Sequence, residues 1–287
     1  RQTLESVLQQ DPGADKMEIL VVDDCSTKDD PQAVVREVGK DRVKFFRQTE
    51  NVGKSGNYQS GLTASRGQLI HQLHGDDTVG NGFYESMERS FERFPAASAF
   101  FCESQYINEK NEVTGQTGRE RDESGLLADW LEKIYVRQRI QTPSIVLQRN
   151  VYEQLGGFDQ RLTAFEDWEM WVRAAVRFQF GFNADCSAQY RVYEQNTSHQ
   201  SIISGKRPRI QKQTLQIVDS YVPETIQNKC GALRSREIAY YLTRCLPVAI
   251  KHRRPLAWIR LCGHIASHSL HPRVWYYALR ASFLPQK

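Results

Sequence analysis

The sequence predicts an α/β fold: a doubly wound mixed sheet flanked by helices over residues 1–200, then a basic helical C-terminal appendage over 201–287. Three observations carry this. Short apolar, β-branched runs alternate with stretches of helical spacing through the first third of the chain. Two of those runs stop abruptly in paired carboxylates, Asp23-Asp24 and Asp76-Asp77. From Arg207 onward the pattern is helical throughout.

Residues 3–10 read as the end of a helix, with Leu4, Val7 and Leu8 apolar at helical spacing and Asp11-Pro12-Gly13 as the stop. Glu18-Ile19-Leu20-Val21-Val22 is the continuous apolar run of a strand buried on both faces. It ends in Asp23-Asp24-Cys25-Ser26-Thr27, where Asp24 or Ser26 can cap a helix starting near Pro31. Val43 to Phe46 is the next strand, and Asn51-Val52-Gly53 turns into a polar helix to about Ser65. Residues 68–73 form a strand and Phe83 to Phe94 a helix, and such strand–helix alternation with short joints makes a layered α/β sheet. Beyond Pro95, Ser98 to Ile107 is strand-like, and residues 112–123 read as a mobile polar loop. Leu126 to Val136 has helical spacing, Ser144 to Leu147 is a strand, and a short helix near Tyr152 ends at Gly156-Gly157. Phe165 to Phe178 is amphipathic, and Phe182 to Val192 is extended. The helical tail is expected to break near Pro223, Gly231, Pro255 and Pro272.

The chain has 287 residues and a net charge of +4, unevenly placed. From Gln200 on, 15 Lys and Arg face three acids, so the tail carries +12 and the rest −8. An acidic body with a basic end fits a cation-assisted site plus a surface for anionic partners. The six cysteines are widely spaced without a Cys-x-x-Cys pair, which argues against a zinc site or disulfide framework and for a reducing cytoplasm. No apolar run approaches the roughly 18 residues of a membrane span, and no signal peptide is visible. The chain opens on Arg1 in mid-helix, so a preceding segment is expected.

Adjacent carboxylates at a strand end are tolerated on any polar turn, yet they also suit a cation or a polar ligand. Two such ends on neighbouring parallel strands would line one sheet edge with carboxylates, the place where open α/β sheets keep ligands. Gly53-Lys54-Ser55 imitates the end of a phosphate loop, but Gln48 stands where that loop needs glycine, so a P-loop is excluded. Asn51, Gly53 and Asn57 either line a nucleotide site or form a plain polar turn. His71 and His74 would point to opposite faces of a strand, which argues against their sharing a metal. In Glu166-Asp167-Trp168, the acids could merely complement a helix dipole. If Trp168, Trp171, Val172 and Ala175 bury one face, however, Asp167 is held rigidly enough to act as a general base.

Together, Val21 to Thr27, Asn51-Val52-Gly53 with Asn57, Leu73-His74-Gly75-Asp76-Asp77, Gly156 to Asp159 and Glu166-Asp167-Trp168 resemble family 2 glycosyltransferases of the GT-A fold over about residues 1–200. The resemblance implies transfer of a sugar from a nucleotide-diphospho-sugar, with inversion, to an acceptor hydroxyl in polysaccharide, glycolipid or other surface glycan synthesis. It implies a nucleotide site of Asp23, Asp24, Ser26, Asn51, Gly53, Asn57 and Asp76. It also implies Mg²⁺ or Mn²⁺ on Asp77 with Asp76, and Asp167 as catalytic base. Two departures stand out. His74 occupies a place where the family often has an Asp, and the family's opening strand with its Pro-x-Tyr-Asn turn is absent. A chain extended upstream by that strand is therefore expected to be the more stable.

For the tail, two readings fit. Its mixed Arg and aromatic residues could dock on an anionic membrane or a lipid-linked acceptor, placing the protein peripherally on the inner membrane face. Alternatively, it is a helical bundle with a solvated basic face. Nucleic-acid binding explains the tail but leaves the acidic strand ends and Glu166-Asp167 without a role. A catalytically inactive relative that serves only as a partner or scaffold is a third reading.

Overall fold

A computed structural model describes residues 1–193 and 196–283. In chain order the elements begin with α1 (Gln2–Leu8), β1 (Leu20–Asp23), α2 (Pro31–Val34), β2 (Lys44–Arg47), α3 (Gly53–Ala64), β3 (Leu69–His71), β4 (Thr78–Val79) and α4 (Phe83–Arg93). They continue with β5 (Ala99–Ile107), β6 (Val113–Gln116), β7 (Gly125–Leu126), α5 (Trp130–Val136), β8 (Ile145–Gln148), α6 (Arg149–Leu155), α7 (Glu166–Ala175) and β9 (Phe180–Arg191). The last five are helices: α8 (Thr197–Ile203), α9 (Arg207–Asp219), α10 (Glu224–Lys251), α11 (Pro255–His268) and α12 (Pro272–Phe283).

Contacts sort the chain into two compact units. One comprises Arg1–Trp130, Ile140–Arg161 and Ala174–Val192; the other comprises Leu131–Arg139, Leu162–Arg173 and Tyr193–Lys287. Compactness thus runs differently from a single cut at residue 200, because most of α5 and α7 groups with the C-terminal helices.

In the first unit, β1 and β2 form a parallel pair with Val21 opposite Phe45. A separate mixed sheet has the order β3-β8-β5-β9-β4, with β6 on β5 and β7 on β9. The parallel β5–β9 pair is central, and its core side chains Phe100, Phe101, Phe180 and Phe182 are buried. Asn183 is buried too, and its amide donates to Ser86 Oγ and Ser90 Oγ at 2.9 Å, fastening α4 to β9. Two expectations are corrected here. β1, which ends at Asp23, and β3, which ends at His71 ahead of the Asp76–Asp77 turn, lie in different sheets, not on neighbouring parallel strands. Within the expected mobile loop, β6 pairs antiparallel with β5, Gln105 facing Gln116, its backbone hydrogen bonds to β5 ordering a segment whose side chains, Val113 included, stay largely exposed. The cap of α2 also differs: Asp30, not Asp24 or Ser26, accepts from the Ala33 amide at 3.0 Å.

In the second unit, Trp168, Met170, Trp171 and Val172 of α7 are buried, and Trp168 Nε1 donates to the Ile134 carbonyl at 2.7 Å. Ala175, expected on that face, is only half-buried. α10 runs unbroken through Gly231. A mid-helix glycine costs only about 1 kcal/mol, and the buried stripe Ile238, Leu242, Cys245, Leu246 and Ala249 outweighs it. Among the described residues, no helix is long and apolar enough to cross a membrane.

Candidate functional site

The turn after β1 is closed by its own carboxylates. Asp23 is buried, and its Oδ1 accepts from both the amide and the hydroxyl of Ser26, while Arg47 Nε stands 3.5 Å from Oδ2. Asp24 faces the start of α3: its Oδ1 accepts from the Val52 amide at 2.8 Å, and Asn51 Nδ2 donates to the Asp24 carbonyl at 3.0 Å. Gly53 then takes φ +77°, a left-handed value that favours glycine. One turn further, Asn57 Nδ2 donates to the Val22 carbonyl at 3.1 Å. Asp23, Asp24, Ser26, Asn51 and Asn57 therefore form a hydrogen-bonded assembly joining the end of β1 to the start of α3, where Gly53 makes the turn.

The next residue along α3 reaches the second acidic turn. The Tyr58 hydroxyl is hydrogen-bonded to His74 Nε2, and the Tyr58 ring packs edge-on against Phe158 at 5.1 Å. A Cβ on Gly157 would fall 2.3 Å from Gln59 Oε1, the end of an exposed side chain on α3 that can swing aside, so the turn approaches α3 closely without depending on glycine there. His74, Asp76 and Asp77 offer ligand atoms that all lie within 4.8 Å of one another. Asp77 is 1% exposed. Its Oδ1 accepts from the Arg191 amide at 2.8 Å, whereas its buried Oδ2 accepts no hydrogen bond and lies 3.5 Å from His74 Nδ1. Burial, reinforced by the neighbouring Asp76, pushes the Asp77 carboxyl up to about 8. A buried carboxylate oxygen without a donor, beside a second carboxylate and an imidazole, fits a divalent cation. His74 is part of this cluster and stands there as a nitrogen donor. His71 is engaged elsewhere, with the Pro143 carbonyl at 3.0 Å and the Tyr84 hydroxyl at 3.2 Å, and burial lowers it to about 4.

Arg191, at the end of β9, was not singled out by the sequence reading. Its guanidinium donates to the Asp76 carbonyl (2.8 Å), the Asn108 carbonyl (2.8 Å) and Gln2 Oε1 (3.0 Å), and the residue is 9% exposed. A charged side chain ending a buried strand was the available signal, the same one that marked Asp23 and Asp76.

Asp167 lies in the other unit, in the first turn of α7. Its Oδ1 accepts from the Trp168 amide at 2.7 Å and its Oδ2 from Gln138 Nε2 at 2.9 Å. The carboxylate is thus held from two sides, and the buried Trp168 anchors the turn that carries it.

Comparison with known proteins identifies the family and the fold. The family model described as glycosyl transferase family 2 matches residues 1–154, which contain both acidic turns and α3 but not Asp167 or Arg191. An uncharacterized protein of Mycobacterium tuberculosis is 24% identical over 248 residues, spanning 78% of this chain and 73% of that protein. The succinoglycan biosynthesis protein ExoO of Rhizobium meliloti is 36% identical over 96 residues, 33% of this chain and 26% of its own length. The crystal structure of Staphylococcus aureus TarS residues 1–349 in complex with UDP-GlcNAc superposes with a TM-score of 0.69 at 16% identity, covering 98% of this chain and 83% of that one. The fold is of the GT-A type, and the chain belongs to glycosyl transferase family 2.

Proposed function

We propose that the chain transfers a sugar from a nucleotide-diphospho-sugar to an acceptor hydroxyl with inversion, in the synthesis of a polysaccharide or another surface glycan. The observation that carries this reading is the joining of the β1 turn to the His74–Asp77 turn through α3, by Asn57 on one side and Tyr58 on the other. Such a span suits a ligand with a nucleoside at one end and a diphosphate at the other. Asp24, Asn51 and Asn57 shape the nucleoside end, with Asp23 and Ser26 closing the turn beneath it. Asp76 and Asp77, with His74, would hold Mg²⁺ or Mn²⁺, which supplies neutralisation of the diphosphate charge. The TarS complex with UDP-GlcNAc and the succinoglycan relative support the donor class and the glycan setting.

Asp167 is the base in this reading. The acceptor oxygen attacks the anomeric carbon opposite the diphosphate, its proton passes to Asp167, and the bond from that carbon to the diphosphate oxygen breaks. A single carboxylate base with a single attack gives inversion; retention through a covalent sugar would need a second carboxylate as nucleophile. Residues 1–200 form the catalytic domain in this proposal and 201–287 its appendage. The test screens nucleotide-sugars by thermal shift with Mn²⁺, starting with UDP-GlcNAc, and then assays transfer. Asp167→Asn should lower transfer by roughly 10²–10⁴-fold with donor binding intact. A full rate in that variant removes Asp167 from the mechanism, and a panel without any shift removes the donor reading.

A further inference from the structure

The C-terminal unit presents a surface to which the proposed transfer step assigns no residue. From Ile238 to Lys287 the chain holds eight Lys and Arg and no Asp or Glu. α11 buries Ala257, Leu261 and Ile265 at four-residue spacing and leaves Leu256 69% and Ile259 57% exposed, with Arg260 one turn beyond Leu256 on the same face. α12 repeats the arrangement, burying Val274 and Ala278 while Tyr276 is 60% and Leu279 55% exposed. Arg273, Tyr276, Tyr277 and Arg280 there follow the i, i+3, i+4, i+7 spacing of one helix face.

Between the end of α10, the start of α11 and the end of α12 lies a cavity of about 440 Å³. Its apolar lining includes Ala249, Ile250, Pro255 and Trp258, and the exposed Arg253 and Arg254 also line it. Trp258 Nε1 is committed to Ser282 Oγ at 3.1 Å, so the indole offers the cavity mainly hydrocarbon.

A phosphate-binding surface for nucleic acid needs the arginines but not solvent-facing leucine and isoleucine beside an apolar cavity. A bilayer surface uses both, since buried apolar area and attraction to anionic headgroups add. We infer that the exposed apolar and arginine-bearing faces of α11 and α12 dock on an anionic phospholipid bilayer, the cavity taking part of an acyl chain and Arg253 and Arg254 the phosphate. The transfer reaction is not needed for this, and the test reads binding alone.

The whole chain is sedimented with phosphatidylcholine vesicles, with and without phosphatidylglycerol. Binding is expected only with the anionic lipid and to weaken with salt. Arg253→Ala with Arg254→Ala should weaken it about 25-fold, about fivefold per arginine. Leu256→Asp with Ile259→Asp should abolish it with melting unchanged, because both side chains are exposed. Equal sedimentation with neutral vesicles overturns the inference. So does wild-type binding by the Leu256/Ile259 variant, or retention by duplex DNA in place of vesicles.

Discussion

Arg191 grips the Asp76–Asp77 turn twice. Its backbone amide donates to Asp77 Oδ1 and its Nε to the Asp76 carbonyl, both at 2.8 Å. The end of β9 thereby sets the direction in which the buried Asp77 presents its second oxygen. Arg191→Ala removes the side-chain hydrogen bonds to the Asp76 carbonyl, the Asn108 carbonyl and Gln2 Oε1 while leaving the amide in place. The expected cost is about 3 kcal/mol, at roughly 1 kcal/mol for each bond, measured by urea denaturation. Mn²⁺ affinity should fall about 10–100-fold, as for other groups that orient metal ligands. Arg191→Lys should recover only part of either loss, because one ammonium cannot reproduce the planar fork.

Asp77 makes the metal-free chain pH-sensitive. Its folded value of about 8 lies above the ordinary carboxylate range, so between about pH 4 and about pH 8 the folded chain holds a proton that the unfolded chain has lost. Stability of the metal-free chain should therefore fall as pH rises through that window. Asp77→Asn should flatten the slope, seen in urea melts with EDTA, while abolishing the thermal shift on adding Mn²⁺. A variant that keeps the Mn²⁺ shift would show that Asp77 is not a ligand.

Tyr58 orients the imidazole of the cluster through its hydroxyl. Tyr58→Phe keeps the ring packed on Phe158 and removes only that oxygen. Mn²⁺ affinity should drop about 10-fold or more, read by calorimetry, with melting of the metal-free protein within about 1 kcal/mol of wild type.

Gln138 holds one oxygen of Asp167. If Asp167 is the base as proposed, Gln138→Ala removes the hold on Oδ2 and leaves Oδ1 on the Trp168 amide, and the resulting misalignment costs about 10–100-fold in kcat with the donor KM unchanged. Equal falls in kcat and stability would instead mark Gln138 as a packing residue.

The local sequence was enough for the strand–helix alternation and for the two acidic turns, because each rests on contacts a few residues apart; the anchoring of Asp167 was not, since Gln138 lies 29 positions from it and Trp168 meets Ile134 across 34. Apolar periodicity marks buried faces, and carboxylates following a buried run have to emerge at a sheet edge or a turn. Asp24, Asn51 and Asn57 were legible as separate turn residues for the same reason. Their joining was not, since Asn57 meets Val22 across 35 positions.

Tertiary structure alone decided what each carboxylate does. Asp23 and Asp24 read alike in sequence, yet one closes its own turn on Ser26 and the other caps the start of α3. His74 looked like a gap in an acidic motif until its ring proved to share a cluster with Asp76 and Asp77. Arg191 lies 114 positions from Asp77, and no local pattern can place a guanidinium against a distant carbonyl. Short-range propensity marks where a chain turns and which faces it buries; which buried polar groups meet follows from long-range strand register, here the antiparallel pairing of β4 with β9 that sets Arg191 beside Asp77.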